Sequence, residues 1–220
     1  MIKMPDFKKS FDYENDFYLS CATSRIGKLL AHYEIYKKTL GLPGEVVECG
    51  VFKGASFTRF GAFRDLIENS NSRKLIGFDI FGSFPETEYE EDKIKREHFI
   101  KNAGGESISV EQLEAILQYK RIDRNIELIK GDITKTIPEY LDKHPELKIS
   151  LLNLDTDIYE PAVTILEYLY PRIVKGGILM LDDYGVFPGE TKAVDDYFIG
   201  KNVKIEKLPL NETPCFIIKD

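Results

Sequence analysis

The stretch Glu45-Val-Val-Glu-Cys-Gly-Val-Phe-Lys-Gly-Ala-Ser56 decides how the chain is read. Its first half is a short apolar run with β-branched residues, the pattern of a buried strand. Its second half turns on Gly50 and Gly54 into a helical pattern over 55–69. Upstream, residues 23–40 set Ile26, Leu29, Leu30, Tyr33 and Tyr36 at helical spacing and stop at a Gly-Leu-Pro-Gly turn (41–44). Downstream, strands are predicted at 74–79, 126–130, 149–154 and 178–181, and helices at 110–119, 135–143, 161–170 and 191–199. Two last strands, near 203–208 and 214–219, are joined by a short connection containing Asn211. Apolar strands alternating with helices of about 10–15 residues mean βαβ units and a parallel sheet. The expected fold is therefore α/β and Rossmann-like: a seven-stranded, mostly parallel sheet with helices on both faces and a C-terminal antiparallel hairpin. One domain spans 1–220, with a helical arm over 1–43 and a candidate lid or insert over 80–124.

Composition narrows the partners. The 220 residues carry 30 basic against 37 acidic side chains, a net charge of −7, with 43% hydrophobic and 30% charged residues. That balance describes a folded globular chain and argues against a nucleic-acid surface. No apolar run approaches the ~18 residues of a membrane span, and the charged N-terminus has no signal core, so a cytoplasmic protein is expected. Cys21, Cys49 and Cys215 are too scattered for a disulfide framework or a zinc site. Five acids without a base fall in Glu86–Asp92. Such an acidic cover over a site disfavours a polyanionic ligand and favours a neutral or weakly charged one.

Ligands of these sheets bind beyond the carboxyl ends of the strands. The first strand ends in the loop of Glu48, Gly50, Gly54 and Ser56, whose glycines allow close backbone approach before a helix N-terminus. The second ends at Asp79, suited to paired ribose hydroxyls or to a turn. The third ends at Gly131-Asp132, where Asp132 faces an adenine edge or caps the next helix. Strand four ends in Asp155-Thr-Asp157 and strand five in Asp182-Asp183. Asp155, Asp182 and Asp183 would converge at one sheet edge, and packed carboxylates need a cation or a proton. All-oxygen ligation suits Mg²⁺. The alternative is that Asp157 and Asp183 cap helices. His32, His98 and His144 read as surface or packing residues.

The glycine loop (46–56) resembles the first motif of the TylF/MycF/NovP family of class I S-adenosylmethionine-dependent sugar O-methyltransferases. Phe-Asp-Ile-Phe-Gly-Ser-Phe-Pro (78–85), Leu-Asp-Thr-Asp-Ile-Tyr-Glu-Pro (154–161) and Leu-Tyr-Pro-Arg-Ile-Val-Lys-Gly-Gly (169–177) resemble its further motifs, as do Asp-Asp-Tyr-Gly (182–185) and 192–198. The resemblance implies the class I methyltransferase sheet. It also implies that Glu48, Gly50, Gly54 and Ser56 surround the methionine part of S-adenosylmethionine and that Asp79 binds its ribose. Asp155, Asp182 and Asp183 would hold Mg²⁺, with Asp155 as catalytic base. Asp132 and Lys135 depart from the family's aromatic and Asp at those places, which leaves the adenine contact open. The acceptor implied is a sugar or glycosylated small molecule. Association into homo-oligomers through the N-terminal helix is also expected.

Other readings are weaker on the residues. A dehydrogenase would carry G-x-G-x-x-G, and the Tyr33–Lys37 pair precedes the first strand. An Asp-x-Asp phosphatase would open the chain with its Leu-Asp-Thr-Asp strand. A catechol-like acceptor satisfies the same chelation chemistry, and a non-catalytic cofactor-binding partner is a further class.

Overall fold

The computed structural model describes residues 2–220. In chain order the elements are α1 (Ser10–Ser20), α2 (Thr23–Lys38), β1 (Glu45–Cys49), α3 (Ala55–Ile67), β2 (Leu75–Asp79), α4 (Glu90–Ala103), α5 (Val110–Lys120), β3 (Ile126–Lys130), α6 (Ile133–Lys143), β4 (Ile149–Leu154), α7 (Tyr159–Tyr168), β5 (Ile173–Leu181), α8 (Pro188–Phe198), β6 (Glu206–Lys207) and β7 (Cys215–Ile218). The strands form one sheet in the order β3-β2-β1-β4-β5-β7-β6, parallel except that β7 runs antiparallel to both β5 and β6.

Period-two alternation explains the layering. Val47, Cys49, Leu152, Leu154, Leu179 and Leu181 point into a core under α6, α7 and α8. Their neighbours Val46, Leu151, Ile178 and Met180 point the other way, under α2, α3 and α5. Each central strand is thus buried on both faces, which is why it reads as an unbroken apolar run.

Differences from the expected bounds have local causes. β5 begins at Ile173 rather than 178, because the Gly176–Gly177 pair lets the chain shift register against β4 and stay paired. α8 starts at Pro188 in place of 191, with Pro188 at the first helical turn where its missing N–H costs nothing. In the 80–124 segment α4 adds a helix before α5, and Ser83 bridges Glu106 to close the loop between them. α1 buries none of its residues, and no helix is long and apolar enough to cross a membrane.

Candidate active site

The carboxyl ends of β1, β4 and β5 meet at a cleft of about 790 Å³. The sheet ladder continues past the strands to fix its floor: Asp155 N donates to Cys49 O, and Asp182 N donates to Leu154 O, both at 3.0 Å. Gly50, at φ 95°, lies against the Asp155 carbonyl, which a Cβ there would strike. Only glycine lets β1 turn this close to the acidic strand end.

Consecutive residues at a strand end face opposite sides, and this separates the two adjacent aspartates. Asp183 turns toward Asp155 and Asp157, and each of the three offers an oxygen within 4.8 Å of the others. Asp182 turns toward α2, where its carboxylate pairs with Lys28 and accepts from His32 Nε2 at 3.0 Å. The structure therefore brings Asp155 and Asp183 together, adds Asp157, and keeps Asp182 on the same cleft with its carboxylate paired to Lys28 and His32. Asp157 has a left-handed φ of 65°, and its carbonyl accepts from Glu190 N.

Electrostatics follows from burial and crowding. Burial first, then the neighbouring aspartates, pushes Asp155 and Asp157 well above the usual carboxylate range, and Asp183 is raised for the same reasons. Burial alone would raise Asp182 too. The His32 hydrogen bond and the Lys28 ammonium outweigh it and hold that carboxyl well below its ordinary value. His32 is fully buried, and burial lowers its pKa, so the neutral ring donates through Nε2 and leaves Nδ1 without a partner. The expectation that His32 is a surface or packing residue thus gives way to a polar role beside Asp182. Behind the acids sits Glu190, which sequence reading missed. It is fully buried, accepts from Asp183 N at 3.0 Å and is pushed well above its ordinary value, by burial first and then by Asp183.

Three crowded carboxylates, Asp157 buried and Asp155 and Asp183 half-buried, are a donor set of hard oxygens, and they fit a divalent cation that removes their mutual repulsion.

The remaining predicted residues divide. Ser56 and Asp79 line the cleft, and Gly54, at φ 79°, ends the loop as the residue before α3. Asp79 already accepts from Phe52 N (2.9 Å) and Phe81 N. Glu48 lies fully buried beneath the loop, where Asn153 Nδ2 donates to it at 3.3 Å and its Oε2 has no partner. Burial, reinforced by the Asp182 and Asp79 charges, pushes Glu48 up to about 8. Asp132 reaches the cleft wall but acts as a helix cap, accepting from Thr134 N at 3.0 Å and pairing with Lys135 at 3.3 Å.

Residues 80–109 cover the cleft. Phe84 and Phe99 stack toward Phe52 and Phe187 and form an apolar wall, while Phe81 is buried in the core and Tyr89 stacks on Tyr159. Three of the five acids in the acidic run of this cover are engaged locally. Glu86 pairs with Arg96, Glu90 pairs with Lys93, and Asp92 is fully buried against the N-termini of α7 and α8.

This strand order, with a glycine loop after the first strand and carboxylates after the fourth and fifth, is the class I methyltransferase fold. A solved structure of CalS11, described as a calicheamicin methyltransferase, matches with a TM-score of 0.76 at 25% identity, over 95% of this chain and 85% of that one. A second structure, the apo form described as a TDP-rhamnose 3'-O-methyltransferase, matches at 0.71 and 26%, over 95% and 86%. The model of the macrocin O-methyltransferase (TylF) family matches residues 21–215, and the chain belongs to that family. A curated relative from Streptomyces olivaceus is 29% identical over 159 residues, 71% of this chain and 59% of its own length. It is described as the 4'-O-methyltransferase of 8-demethyl-8-(2,3-dimethoxy-alpha-L-rhamnosyl)-tetracenomycin C. The chain matches 58–61% of the length of its curated relatives.

Proposed function

We propose that this chain transfers a methyl group from S-adenosylmethionine to a sugar hydroxyl, assisted by Mg²⁺, with Asp155 as the general base. The observation that carries this reading is the meeting of the glycine loop and the Asp155, Asp157 and Asp183 carboxylates in one covered cleft. The family and its relatives support the acceptor class: the Streptomyces olivaceus relative is described as acting on a rhamnosyl compound, and CalS11 on TDP-rhamnose.

Asp155, Asp157 and Asp183 would hold the cation, which when bound lowers the cost of deprotonating an acceptor hydroxyl. Asp182 flanks this set, and its charge acts on Asp155 and Asp183 while Lys28 balances it. The cofactor supplies an electrophilic methyl, so the protein's task is positioning and proton removal. Asp155 is placed for the latter, on the cleft wall at the end of β4 beside the other acids that would hold the cation. The backbone bond to Cys49 O and the packed Gly50 fix where it stands. Gly50, Gly54 and Ser56 would take the methionine part, and Asp79 would accept from the ribose hydroxyls. The wall of Phe84, Phe99 and Phe187 excludes water from the reacting atoms.

The test is methyl transfer, followed by mass spectrometry, from S-adenosylmethionine to a panel of rhamnosides and nucleotide-linked sugars, with Mg²⁺ and with EDTA. Product that forms with Mg²⁺ and disappears with EDTA is expected. Absence of transfer, together with no thermal stabilisation by millimolar S-adenosylhomocysteine, overturns the reading.

A further inference from the structure

One side of the cleft is lined by basic side chains rather than acids. Arg25, Lys28 and His32 sit at i, i+3 and i+7 on α2, so they share one face along roughly 10 Å of helix. The face grades inward: Arg25 is exposed, Lys28 is mostly covered, and His32 is fully buried beside Asp182. Lys28 is spent on Asp182 and His32 donates to it. Arg25 has no such partner. Facing it is Arg59 of α3, one turn beyond Ser56 and also on the cleft wall.

Among the described residues neither guanidinium makes an ion pair or a side-chain hydrogen bond. Arg59 is partly buried, and the two like charges act on one another: burial first and Arg25 second lower its proton affinity. Asp182, Glu48 and Asp155 attract Arg59 but stand beyond ion-pair distance. Two facing forks of N–H donors, unsatisfied in a ligand cleft, match an oxyanion with two charges. Guanidinium geometry suits phosphate oxygens in particular. The pair lies one helical turn outward from Lys28, which itself reaches the acid cluster. A sugar ring with a hydroxyl at Asp155 can therefore direct its anomeric substituent toward the arginines.

We propose that Arg25 and Arg59 form a phosphate subsite, and that the acceptor is a sugar carrying a phosphate or diphosphate at its anomeric carbon. This rests on the methyltransferase reading above and narrows its acceptor. It reverses the preference against anionic acceptors drawn from the acidic run, of which the structure engages three members: Glu86 pairs with Arg96, Glu90 with Lys93, and Asp92 is buried.

Calorimetric titration of the full chain tests it, with EDTA present so that no phosphate–metal contact contributes. The probes are S-adenosylhomocysteine alone and thymidine diphosphate added to the S-adenosylhomocysteine complex. Wild type is compared with Arg25→Gln, Arg59→Gln and Arg59→Lys, each checked for an unchanged thermal transition. Arg25 is exposed, so its variant is not a folding variant. Thymidine diphosphate should bind wild type, weaken tenfold or more in each Gln variant and less in Arg59→Lys, and lose affinity as salt rises. S-adenosylhomocysteine should bind all four within threefold. A tenfold loss of S-adenosylhomocysteine in the Gln variants, with thymidine diphosphate unaffected, overturns the inference and assigns the arginines to the cofactor carboxylate. Wild type that binds S-adenosylhomocysteine but not thymidine diphosphate also overturns it. Wild type that binds neither overturns the methyltransferase reading, and this inference with it.

Discussion

Asp92→Asn should loosen the cover of the cleft. Asp92 lies in the first turn of α4, fully buried, and its two oxygens serve two other helices: Oδ1 accepts from Gly189 N at 2.7 Å and Oδ2 from Tyr159 N at 3.0 Å. One carboxylate thus caps the N-termini of α7 and α8, which lead out of the Asp157 and Asp183 loops. Glu160 returns the contact, accepting from Thr87 Oγ1, Glu88 N and Tyr89 N. An asparagine keeps one acceptor and turns an NH₂ toward the other backbone N–H. A buried donor left without an acceptor costs about 1–3 kcal/mol. Losing the negative charge at two helix N-termini adds about 0.3–1 kcal/mol each. The sum is about 1.6–5 kcal/mol, equivalent to about 3–20 °C in Tm for a domain of this size. Calorimetry should be run near pH 8, because burial raises the Asp92 pKa and the ionised form makes both bonds. Hydrogen exchange should show faster exchange in 84–104 and at the starts of α7 and α8, with β4 and β5 least affected. Gly189→Ala should act in the same direction, since its Cβ would collide with Asp92 Oδ2. A Tm within 1 °C of wild type, with exchange unchanged in all these segments, would refute the reasoning.

Three further outcomes are expected. Glu48 titrates near 8 in the fold against an ordinary 4.5, so the folded state binds the extra proton between those values and its stability falls as pH rises through that window. Glu48→Gln should therefore gain on wild type from pH 5 to 8 in urea unfolding; a pH-independent difference means that Glu48 is ionised throughout. Mg²⁺ should raise Tm more at pH 8 than at pH 6, because Asp155 and Asp157 must give up protons to bind it, and Asp183→Asn should abolish the shift. Asp155→Asn should retain S-adenosylhomocysteine affinity within threefold while turnover falls by roughly 10²–10⁴, and activity kept by the purified variant removes Asp155 from the base role.

The fold was legible because its central strands are buried on both faces. Strands at 126–130 and 149–154 stand where the apolar runs place them, and the terminal hairpin is antiparallel as expected. The site was legible only to the level of strand ends. Sequence cannot tell which of two adjacent acids faces the cluster, since that depends on where the pleat falls: Asp183 turns in with Asp155, and Asp182 turns to α2. Asp157 joins them because the chain takes a left-handed φ just past β4. Glu190 was hidden because α8 starts earlier than its apolar pattern, at a proline.

The polar stripe of α2 did carry a signal. Arg25, Lys28 and His32 recur at helical spacing, on a helix whose apolar residues Ile35 and Tyr36 pack against the sheet. A charged stripe of that kind reads as a solvated face until the cleft is seen to run along it. Net charge had pointed the other way, toward an acidic site that repels anions. That reading fails because charge acts locally: the Debye length is about 8 Å at physiological ionic strength, so distant acids count for little. At the cleft, Glu86 is matched by Arg96 and Asp92 by two helix N-termini, while Arg25 and Arg59 make no ion pair. A chain of net charge −7 can therefore still place two arginines without protein partners on one wall of its site, and an anionic group on the acceptor completes the pairing.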